Sequence, residues 1–192
     1  MKVNAICMVK NEADIIIEAL ENALNFCDNI YIFDNGSTDG TSELIDDFIK
    51  ANPRVVLAER SDEVFKNQLR NRVYNRYHDQ FGADDWWYIL DADELIIEDP
   101  RPMLEKAERS NKDAMRVWQA QFYFTDKDME TYDSEDHQSP TTERRKYYRI
   151  NWRETRFFKN HPDKTWDESI SGRIPPFTGK HYYRSPICCH YA

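Results

Sequence analysis

One stretch near the middle of the chain most constrains what it can fold into. Residues 86–90 (WWYIL) are aromatic or aliphatic and run straight into Asp91, Asp93 and Glu94. A short continuous apolar run is typical of a strand buried on both faces of an α/β sheet, and such sheets bind ligands beyond the carboxyl ends of their strands. Because Mg²⁺ and Mn²⁺ prefer oxygen ligands, Asp-x-Asp at this place predicts a metal site. A solvated acidic turn is the alternative.

The residues before this strand alternate between two hydrophobic periods. Short apolar runs predict strands at 3–9, 30–33 and 54–58, and a helical spacing of apolar residues follows each of them. Asn11 is expected to cap the first helix. The third helix is expected to bury a stripe spaced by four residues: Phe65, Leu69, Val73, Tyr77 and Phe81. This alternation predicts an α/β fold with a mainly parallel central sheet flanked by helices, because parallel strands need crossover connections.

The second half of the chain has a less regular pattern. A helix is predicted from Pro100 to about Ser110, and strands are predicted at 115–124 and 155–159. Residues 126–149, acidic at first and basic later, are predicted to form a long loop, which is either a lid over the site or a plain solvated loop. The apolar and aromatic residues from His181 onwards predict a packed segment.

The net charge and the hydropathy limit the partners of this chain. With 192 residues and a net charge of −9, we expect one domain that does not bind nucleic acid. An anionic ligand in an acidic cleft implies a bridging cation, since one like-charge pair at ~4 Å costs roughly 4 kcal/mol at an effective dielectric of ~20. The sequence has no long apolar run and no leader, which predicts a cytoplasmic protein without a transmembrane segment. Peripheral contact with the inner face of a membrane stays open.

The four cysteines are expected to be free thiols. None of them forms a CxxC pair, and the adjacent Cys188 and Cys189 are poorly suited to a structural disulfide. A zinc site made of these two residues with His181 and His190 is conceivable, but its spacing is not that of a standard zinc site. We therefore expect no zinc.

Four short motifs occur in the order and at the spacing of a known family. Residues 34–41 (DNGSTDGT) follow the second predicted strand, and residues 91–94 (DADE) follow the fourth. Arg70-Asn71 lies on the helix between them, and residues 8–12 (MVKNE) close the first strand. Together these motifs resemble the inverting glycosyltransferases of family 2, whereas each motif alone is weak.

The resemblance implies the GT-A fold, a Rossmann-like sandwich, formed here by a single domain over 1–192. Residues 1–98 would be its nucleotide-sugar-binding half and 99–192 its acceptor-side half. The implied activity is a metal-dependent, inverting transfer of a sugar from a nucleotide-diphospho-sugar, with a UDP-sugar favoured. The acceptor would be a hydroxyl of a saccharide or a glycolipid, as in the synthesis of cell-surface polysaccharide or lipopolysaccharide.

The resemblance also implies roles for individual residues. The donor would be contacted mainly by residues after the first, second and fourth strands: Val9, Lys10, Asn11, Glu12, Asp34, Asn35, Arg70, Asp91 and Ala92. Asp34 would accept a hydrogen bond from the base, and Arg70 would lie near the base or the diphosphate. Asp91 would face the ribose or the donor sugar, and Asp93 would bind the Mn²⁺ or Mg²⁺ ion, with Asp91 as a second ligand. Many members have a second Asp at the position of Asn35, so the identity of the base stays open.

An inverting transfer needs a general base, which the family takes from the second half of the chain. Asp167 and Glu168 are the candidates, with Glu168 preferred, and Trp166 could form a wall for a sugar ring. Surface acids in a turn are the alternative for this pair. His190 is a candidate for an additional metal ligand, although a packing histidine is the more common case.

Two other functions remain as alternatives to a glycosyltransferase. A nucleotide-sugar-binding module without turnover would keep the donor site and would be indifferent to the loss of the Glu168 carboxylate. A nucleotidyltransferase would share the sheet and the acids, but it usually opens with a glycine-rich loop, and residues 8–12 contain no glycine.

Overall fold

The computed structural model describes residues 1–132, 139–183 and 186–191. Its first part alternates strand and helix, as the sequence predicts. The elements are β1 (Val3–Val9), α1 (Ile16–Leu24), β2 (Asn29–Asp34), α2 (Thr41–Ala51), β3 (Val55–Arg60), α3 (Arg70–Tyr77) and β4 (Trp86–Asp91). The four strands are parallel to one another and lie in the order β3-β2-β1-β4.

The second part contributes shorter helices and strands of both directions. The elements are β5 (Glu94–Ile96), α4 (Arg101–Arg109), β6 (Ala114–Phe122), α5 (Asp126–Thr131), α6 (Thr141–Arg144), β7 (Tyr148–Lys159), β8 (His181–Tyr182) and β9 (Ile187–Tyr191). The strands β7, β6, β9 and β5 extend the sheet beyond β4 in that order, and β8 pairs with β6.

The α/β class is confirmed, and the expectation of a mainly parallel central sheet is met only in part, because the sheet is mixed. β7 runs antiparallel to both β4 and β6, and β9 runs antiparallel to β5. Only the β6 pairings with β8 and β9 are parallel in this part. Antiparallel neighbours need no crossover helix between them, which is why the helical period of the first half fades from the sequence of the second.

Strand β4 is buried on both faces, as its continuous apolar run predicts. Trp86 and Trp87 are completely buried and belong to separate hydrophobic clusters on the two sides of the sheet. The cluster with Trp86 includes Leu20 of α1, and the cluster with Trp87 includes Tyr74 of α3. Helices therefore cover both faces of the parallel strands, and the free positions of these strands are their ends.

Two helix boundaries differ from the sequence prediction. Helix α1 begins at Ile16 rather than after Asn11, because Asn11 adopts a left-handed conformation with a φ of 56°. Its side-chain oxygen instead accepts a hydrogen bond from the backbone N–H of Thr38 at 2.8 Å. The third helix is also shorter than its stripe, since Phe65 precedes a 3₁₀ turn at 67–69 and is 49% exposed.

The predicted long loop over 126–149 contains structure that the composition did not indicate. Thr125 and Asp128 form a capping box, which starts the short helix α5 in the acidic part. The basic part leads directly into β7, which begins at Tyr148. Residues 133–138 lie outside the described part of the chain, so the choice between lid and solvated loop stays open.

Two further expectations concern the membrane and the thiols. Within the described ranges, the structure contains no helix with the length and apolar character that a membrane crossing requires. All four cysteines are free and buried, as expected. Burial raises the pKa of the Cys7 and Cys188 thiols, so these side chains act as small apolar groups in the core.

Candidate functional site

The carboxyl ends of β1, β2 and β4 meet at one edge of the sheet. In the register of the parallel strands, Val9 lies beside Asp34 and Met8 lies beside Asp91. A cavity of about 280 Å³ opens at this edge. Its lining comes from both halves of the chain and includes Glu12, Arg70, Asp91, Asp93, Arg173 and His190. This is the position at which open α/β sheets bind ligands.

Asp91, at the end of β4, is held by three arginines. Its Oδ1 accepts a hydrogen bond from Nη2 of Arg70 at 2.7 Å, and its Oδ2 accepts one from Nη2 of Arg173. Nη1 of Arg156 lies 3.1 Å from the same Oδ2. Burial raises the pKa of Asp91, but the three guanidinium charges outweigh it and hold the pKa well below its usual range. Asp91 is therefore an ionised bridge between α3, β7 and the segment that carries Arg173.

Arg156 connects this bridge to a second buried carboxylate. Its side chain is only 2% exposed and donates a hydrogen bond to Oε1 of Glu94, and it lies 2.8 Å from Oε2 of Glu154. Sγ of Cys188 donates to the other oxygen of Glu94 at 3.3 Å. Buried charges need partners of this kind, because an unpaired one would cost several kcal/mol. The network cross-links the strands β4, β5, β7 and β9 behind the cavity.

Asp93 contacts His190 rather than the arginines. Nε2 of His190 lies 2.7 Å from Oδ2 of Asp93, and the backbone N–H of Tyr191 donates to the carbonyl of Asp93 at 2.9 Å. The pairing of β5 with β9, which sets Glu94 opposite His190, brings these distant residues together. The hydrogen bond to Asp93 raises the pKa of His190 above its ordinary value.

Glu12 is the third acidic group on the cavity wall. Burial, followed by the nearby charge of Asp93, raises the pKa of Glu12 to about 7. Its backbone N–H donates to Oγ1 of Thr41 at 2.9 Å, so the loop after β1 is tied to the start of α2. A raised carboxyl pKa beside another carboxylate favours the binding of a cation there, because the cation offsets the repulsion between the two negative charges.

The residues around the cavity fit a divalent ion only in part. Among the described residues, no group of three or more His, Cys, Asp and Glu side chains is arranged to hold a metal. Asp93 and His190 form an adjacent pair with an oxygen and a nitrogen ligand, which Mn²⁺ accepts, and nucleotide phosphates commonly complete such sites. The oxygens of Asp91 accept from arginines instead, so Asp93 and His190 are the better candidates of the three.

The loop after β2 uses its predicted site residues internally. Asp34 is completely buried, and its carboxylate accepts from the Ser37 N–H at 3.0 Å, from Ser42 Oγ at 2.5 Å and from Arg60 Nε at 3.1 Å. These bonds outweigh burial and lower the pKa of Asp34. Nδ2 of Asn35 donates to the carbonyls of residues 61 and 63. A direct role of either side chain towards a base stays a prediction.

The remaining candidates on the first half follow or end β1 and β4, and of these Ala92 is among the residues that line the cavity. Val9 and Ala92 are buried and offer main-chain groups only, and the Val9 carbonyl accepts from the N–H of Asn35 at 2.8 Å. Lys10 and Asn11 are exposed on the loop after β1. The predicted donor-contacting residues thus lie near the carboxyl ends of β1, β2 and β4, with Arg70 at the start of α3, and their roles towards a donor stay predictions.

The proposed bases lie on a separate segment. Asp167 and Glu168 are exposed, and neither belongs to the cavity lining that the described residues form. Trp166 is completely buried against Tyr74 and Phe158, so the idea that it forms a wall for a sugar ring is wrong. The physical reason is that this indole anchors the segment to the core instead of facing solvent.

Sequence reasoning missed the arginines of the second half. Arg156 falls inside the strand predicted at 155–159 and belongs to no motif, and Arg173 lies in a segment without a periodic pattern. The one available signal was a charged residue directly before the apolar pair Phe157-Phe158 in a predicted strand. A core strand tolerates an arginine only where a carboxylate meets it. For Arg173 the sequence contains no comparable signal.

Comparisons with known proteins agree with this architecture. Residues 5–180 match glycosyl transferase family 2. The chain is similar to the structure of GalNAc-T7 with UDP, GalNAc and Mn²⁺, with a TM-score of 0.51 and 14% identity over 64% of this chain and 24% of that chain. It is also similar to the mannosyltransferase PcManGT from Pyrobaculum calidifontis in complex with GDP-Man and Mn²⁺, with a TM-score of 0.45 and 22% identity over 60% and 35% of the two chains. No curated protein sequence matches this chain.

These findings carry different weights. At this identity the likeness to GalNAc-T7 concerns the fold alone, and this chain spans about a quarter of that protein and about a third of the mannosyltransferase. The family match covers most of the chain and confirms the resemblance that the four motifs indicate. The mixed α/β fold, with its curled sheet, is similar to that of GT-A glycosyltransferases. The chain belongs to glycosyl transferase family 2.

Proposed function

We propose that this chain is a metal-dependent, inverting glycosyltransferase domain that transfers a sugar from a nucleotide-diphospho-sugar to a hydroxyl group. The observation that carries the proposal is the pair of Asp93 and His190 on a cavity at the carboxyl end of the central strand. It combines a carboxylate and an imidazole with nearby arginines, which suits a cation and a phosphorylated ligand in one place. Family membership supports the same reaction class.

In the proposed reaction, the acceptor oxygen forms a bond to the anomeric carbon while the bond from that carbon to the diphosphate oxygen breaks. The hydroxyl proton goes to a carboxylate, for which Glu168 and Asp167 remain the candidates, and the electron pair leaves with the nucleoside diphosphate. Asp93 and His190 would hold the ion. A bound Mn²⁺ or Mg²⁺ supplies positive charge beside the leaving phosphate.

A UDP-sugar is the proposed donor and a saccharide or glycolipid hydroxyl the proposed acceptor. The solved structure of GalNAc-T7 contains UDP and Mn²⁺, and that of PcManGT contains GDP-Man and Mn²⁺, so the donor panel below includes both nucleotides. The carboxylate of Asp34 already accepts three hydrogen bonds within the protein. We therefore propose that main-chain groups contribute to the recognition of the nucleobase as much as this carboxylate does.

Thermal unfolding with a panel of nucleoside diphosphates and nucleotide-sugars, each with and without Mn²⁺, tests the donor site. At a ligand concentration near 100 times Kd the stabilisation is ~2.7 kcal/mol, which for a chain of this size raises Tm by roughly 5–10 °C. We expect this shift with one nucleotide, chiefly in the presence of Mn²⁺. The variant Asp93→Asn should lose the Mn²⁺-dependent part of the shift, while its Tm without ligand should stay close to that of the parent. A donor that stabilises Asp93→Asn and the parent equally would remove Asp93 from the metal site.

Turnover separates the enzyme from a binding module. With the donor that the panel identifies, we expect slow release of free sugar to water or faster transfer to added saccharides. Glu168→Gln should lower this rate by about 100-fold or more if Glu168 is the base, with Asp167→Asn as the matched comparison. Donor binding without any release or transfer would instead favour the binding module.

A further inference from the structure

Two guanidinium groups meet in the cavity from opposite halves of the chain. Arg70 belongs to α3, and its side chain is 3% exposed, whereas Arg173 comes from the segment before β8 and is 32% exposed. Both line the cavity, and the two oxygens of Asp91 hold one guanidinium each. The two groups are therefore fixed side by side through a single carboxylate.

Neither arginine uses all its donors within the protein. Arg70 donates through Nη1 to Asn67 at 2.9 Å and through Nη2 to Asp91, and Arg173 donates through Nη1 to Glu154 at 3.0 Å and through Nη2 to Asp91. The Nε of each is buried and has no hydrogen-bond partner in the described part of the chain. A guanidinium carries five N–H donors, and buried donors normally find acceptors. Spare donors on two adjacent arginines suit an oxyanion with several oxygens.

The segment that carries Arg173 is attached to the same helix as Arg70. The backbone of Trp166 exchanges two hydrogen bonds with the side chain of Asn75, at 2.9 and 2.7 Å, and the hydroxyl of Tyr74 donates to the carbonyl of His161 at 3.1 Å. Asn75 and Tyr74 lie on α3. The buried indole of Trp166 fixes the segment further, so α3 positions both guanidinium groups relative to each other.

We propose that Arg70 and Arg173 together bind the diphosphate of the nucleotide donor, with Arg173 as the contribution of the acceptor-side half. This assignment rests on the proposed function. The family resemblance gives no role to Arg173. Because Asp91 is already paired with arginines, it does not confront a diphosphate as a bare negative charge. The repulsion expected for the Asp-x-Asp motif therefore comes mainly from Asp93, where a bound cation would offset it.

Binding of a nucleoside diphosphate compared with binding of the bare nucleoside tests the assignment on the full chain. The probe is the tightest binder among UDP, GDP, ADP, CDP and dTDP with Mn²⁺, followed by calorimetry. Arg173→Gln should weaken this binding by about 10- to 100-fold, since hydrogen bonds between charged groups are worth about 1.5–3 kcal/mol, and should leave the affinity for the nucleoside unchanged. Arg173→Lys should lie between, because lysine keeps the charge and loses the planar fork.

Arg109→Gln is the matched control, since Arg109 is an exposed arginine of α4 whose partner is Glu105. It should bind the diphosphate like the parent. If Arg173→Gln and Arg173→Lys both bind the diphosphate as tightly as the parent does, the assignment is wrong and the proposed function stands. If both nucleoside and diphosphate affinities fall together, Arg173 acts on the shape of the cavity instead, which also overturns the assignment. If the parent binds none of the five diphosphates, the proposed function falls and this assignment with it.

Discussion

The parallel strands β1–β4 and the mixed strands β5–β9 build the same site in different ways. In the parallel region, neighbours along the chain are neighbours in the sheet or nearly so, and each strand ends at the site edge. In the mixed region, groups from distant parts of the chain meet: Glu94 pairs with His190, and Arg173 reaches Asp91. The parallel region therefore offers a preformed edge, and the mixed region supplies the charged groups that complete it.

The difference shows most clearly in the two carboxylates of the Asp-x-Asp motif. Asp91 ends a strand of the parallel region and is shared between one arginine of that region and two of the mixed region. Asp93, two residues later, has left β4 and pairs with a histidine of β9 at the rim. One motif thus contains a carboxylate that three arginines share and a carboxylate that pairs with a single histidine, although the sequence presents them as equivalents.

The largest effect is expected from the core tryptophans of the two regions. Trp87 of β4 and Trp166 of the segment before β8 are both completely buried and belong to the same hydrophobic cluster. Replacing a buried tryptophan by alanine costs about 3–5 kcal/mol. We expect Trp87→Ala near the upper end, because Nε1 of Trp87 also donates to Oδ1 of Asn160 at 2.8 Å. Trp166→Ala should cost about 3 kcal/mol.

Urea unfolding followed by fluorescence and circular dichroism measures both costs. Coincident fluorescence and circular-dichroism transitions, with denaturant slopes equal to those of the parent, would mean that the two regions unfold as one unit. A loss below about 1 kcal/mol for Trp166→Ala would mean that residues 161–177 are only loosely attached. In that case α3 could not hold Arg173 in place beside Arg70.

The same contrast explains what the sequence could predict. The run from Trp86 to Leu90 predicted the buried strand, and local motifs predicted the loops at the strand ends. In parallel α/β units, the local hydrophobic pattern indicates both the type of each element and its place in the sheet. The partnership of Glu94 with Arg156, 62 residues apart, depends on strand pairing that no local pattern encodes. The roles at the site, such as that of Asp34, remain predictions, since hydrogen bonds from Ser37 and from Ser42 of α2 already engage this carboxylate within the protein.

Replacing the two carboxylates of the Asp-x-Asp motif by amides, one at a time, should show that they contribute differently to stability. Asp91→Asn leaves three arginines without their shared charge, and breaking a buried ion pair costs about 3–5 kcal/mol, so we expect a loss of about 3 kcal/mol. Asp93→Asn should cost less than about 1 kcal/mol, because Asp93 has a single, partly exposed partner in His190, whereas two of the three arginines on Asp91 are almost completely buried.

Denaturant midpoints of the two variants at pH 7 supply the measurement. Because the pKa of Asp91 is lowered in the fold, its contribution is present above the ordinary aspartate value of 3.8 and fades as the pH falls further below it. The gap between Asp91→Asn and the parent should therefore narrow in acid. Equal losses for the two amide variants at pH 7 would show that the motif is not divided as the structure suggests.

The smallest effect concerns Glu12, where the loop after β1 faces Asp93 and His190. Because burial and the charge of Asp93 raise the pKa of Glu12 to about 7, the fold favours its protonated form. That preference contributes stability below the unfolded value of 4.5 and is lost as the pH rises through about 7. Glu12→Gln stays neutral, so its Tm should match the parent near pH 4 and exceed it at pH 8, and Glu21→Gln on the exposed side of α1 is the surface control. Mn²⁺ should shrink the difference at pH 8 if the ion binds beside Asp93, because the added positive charge relieves the repulsion between the two carboxylates. A Tm difference that stays constant across this pH range, with or without Mn²⁺, would mean that the charge of Asp93 does not affect the pKa of Glu12. The two regions would then be in contact at this cavity without being coupled electrostatically.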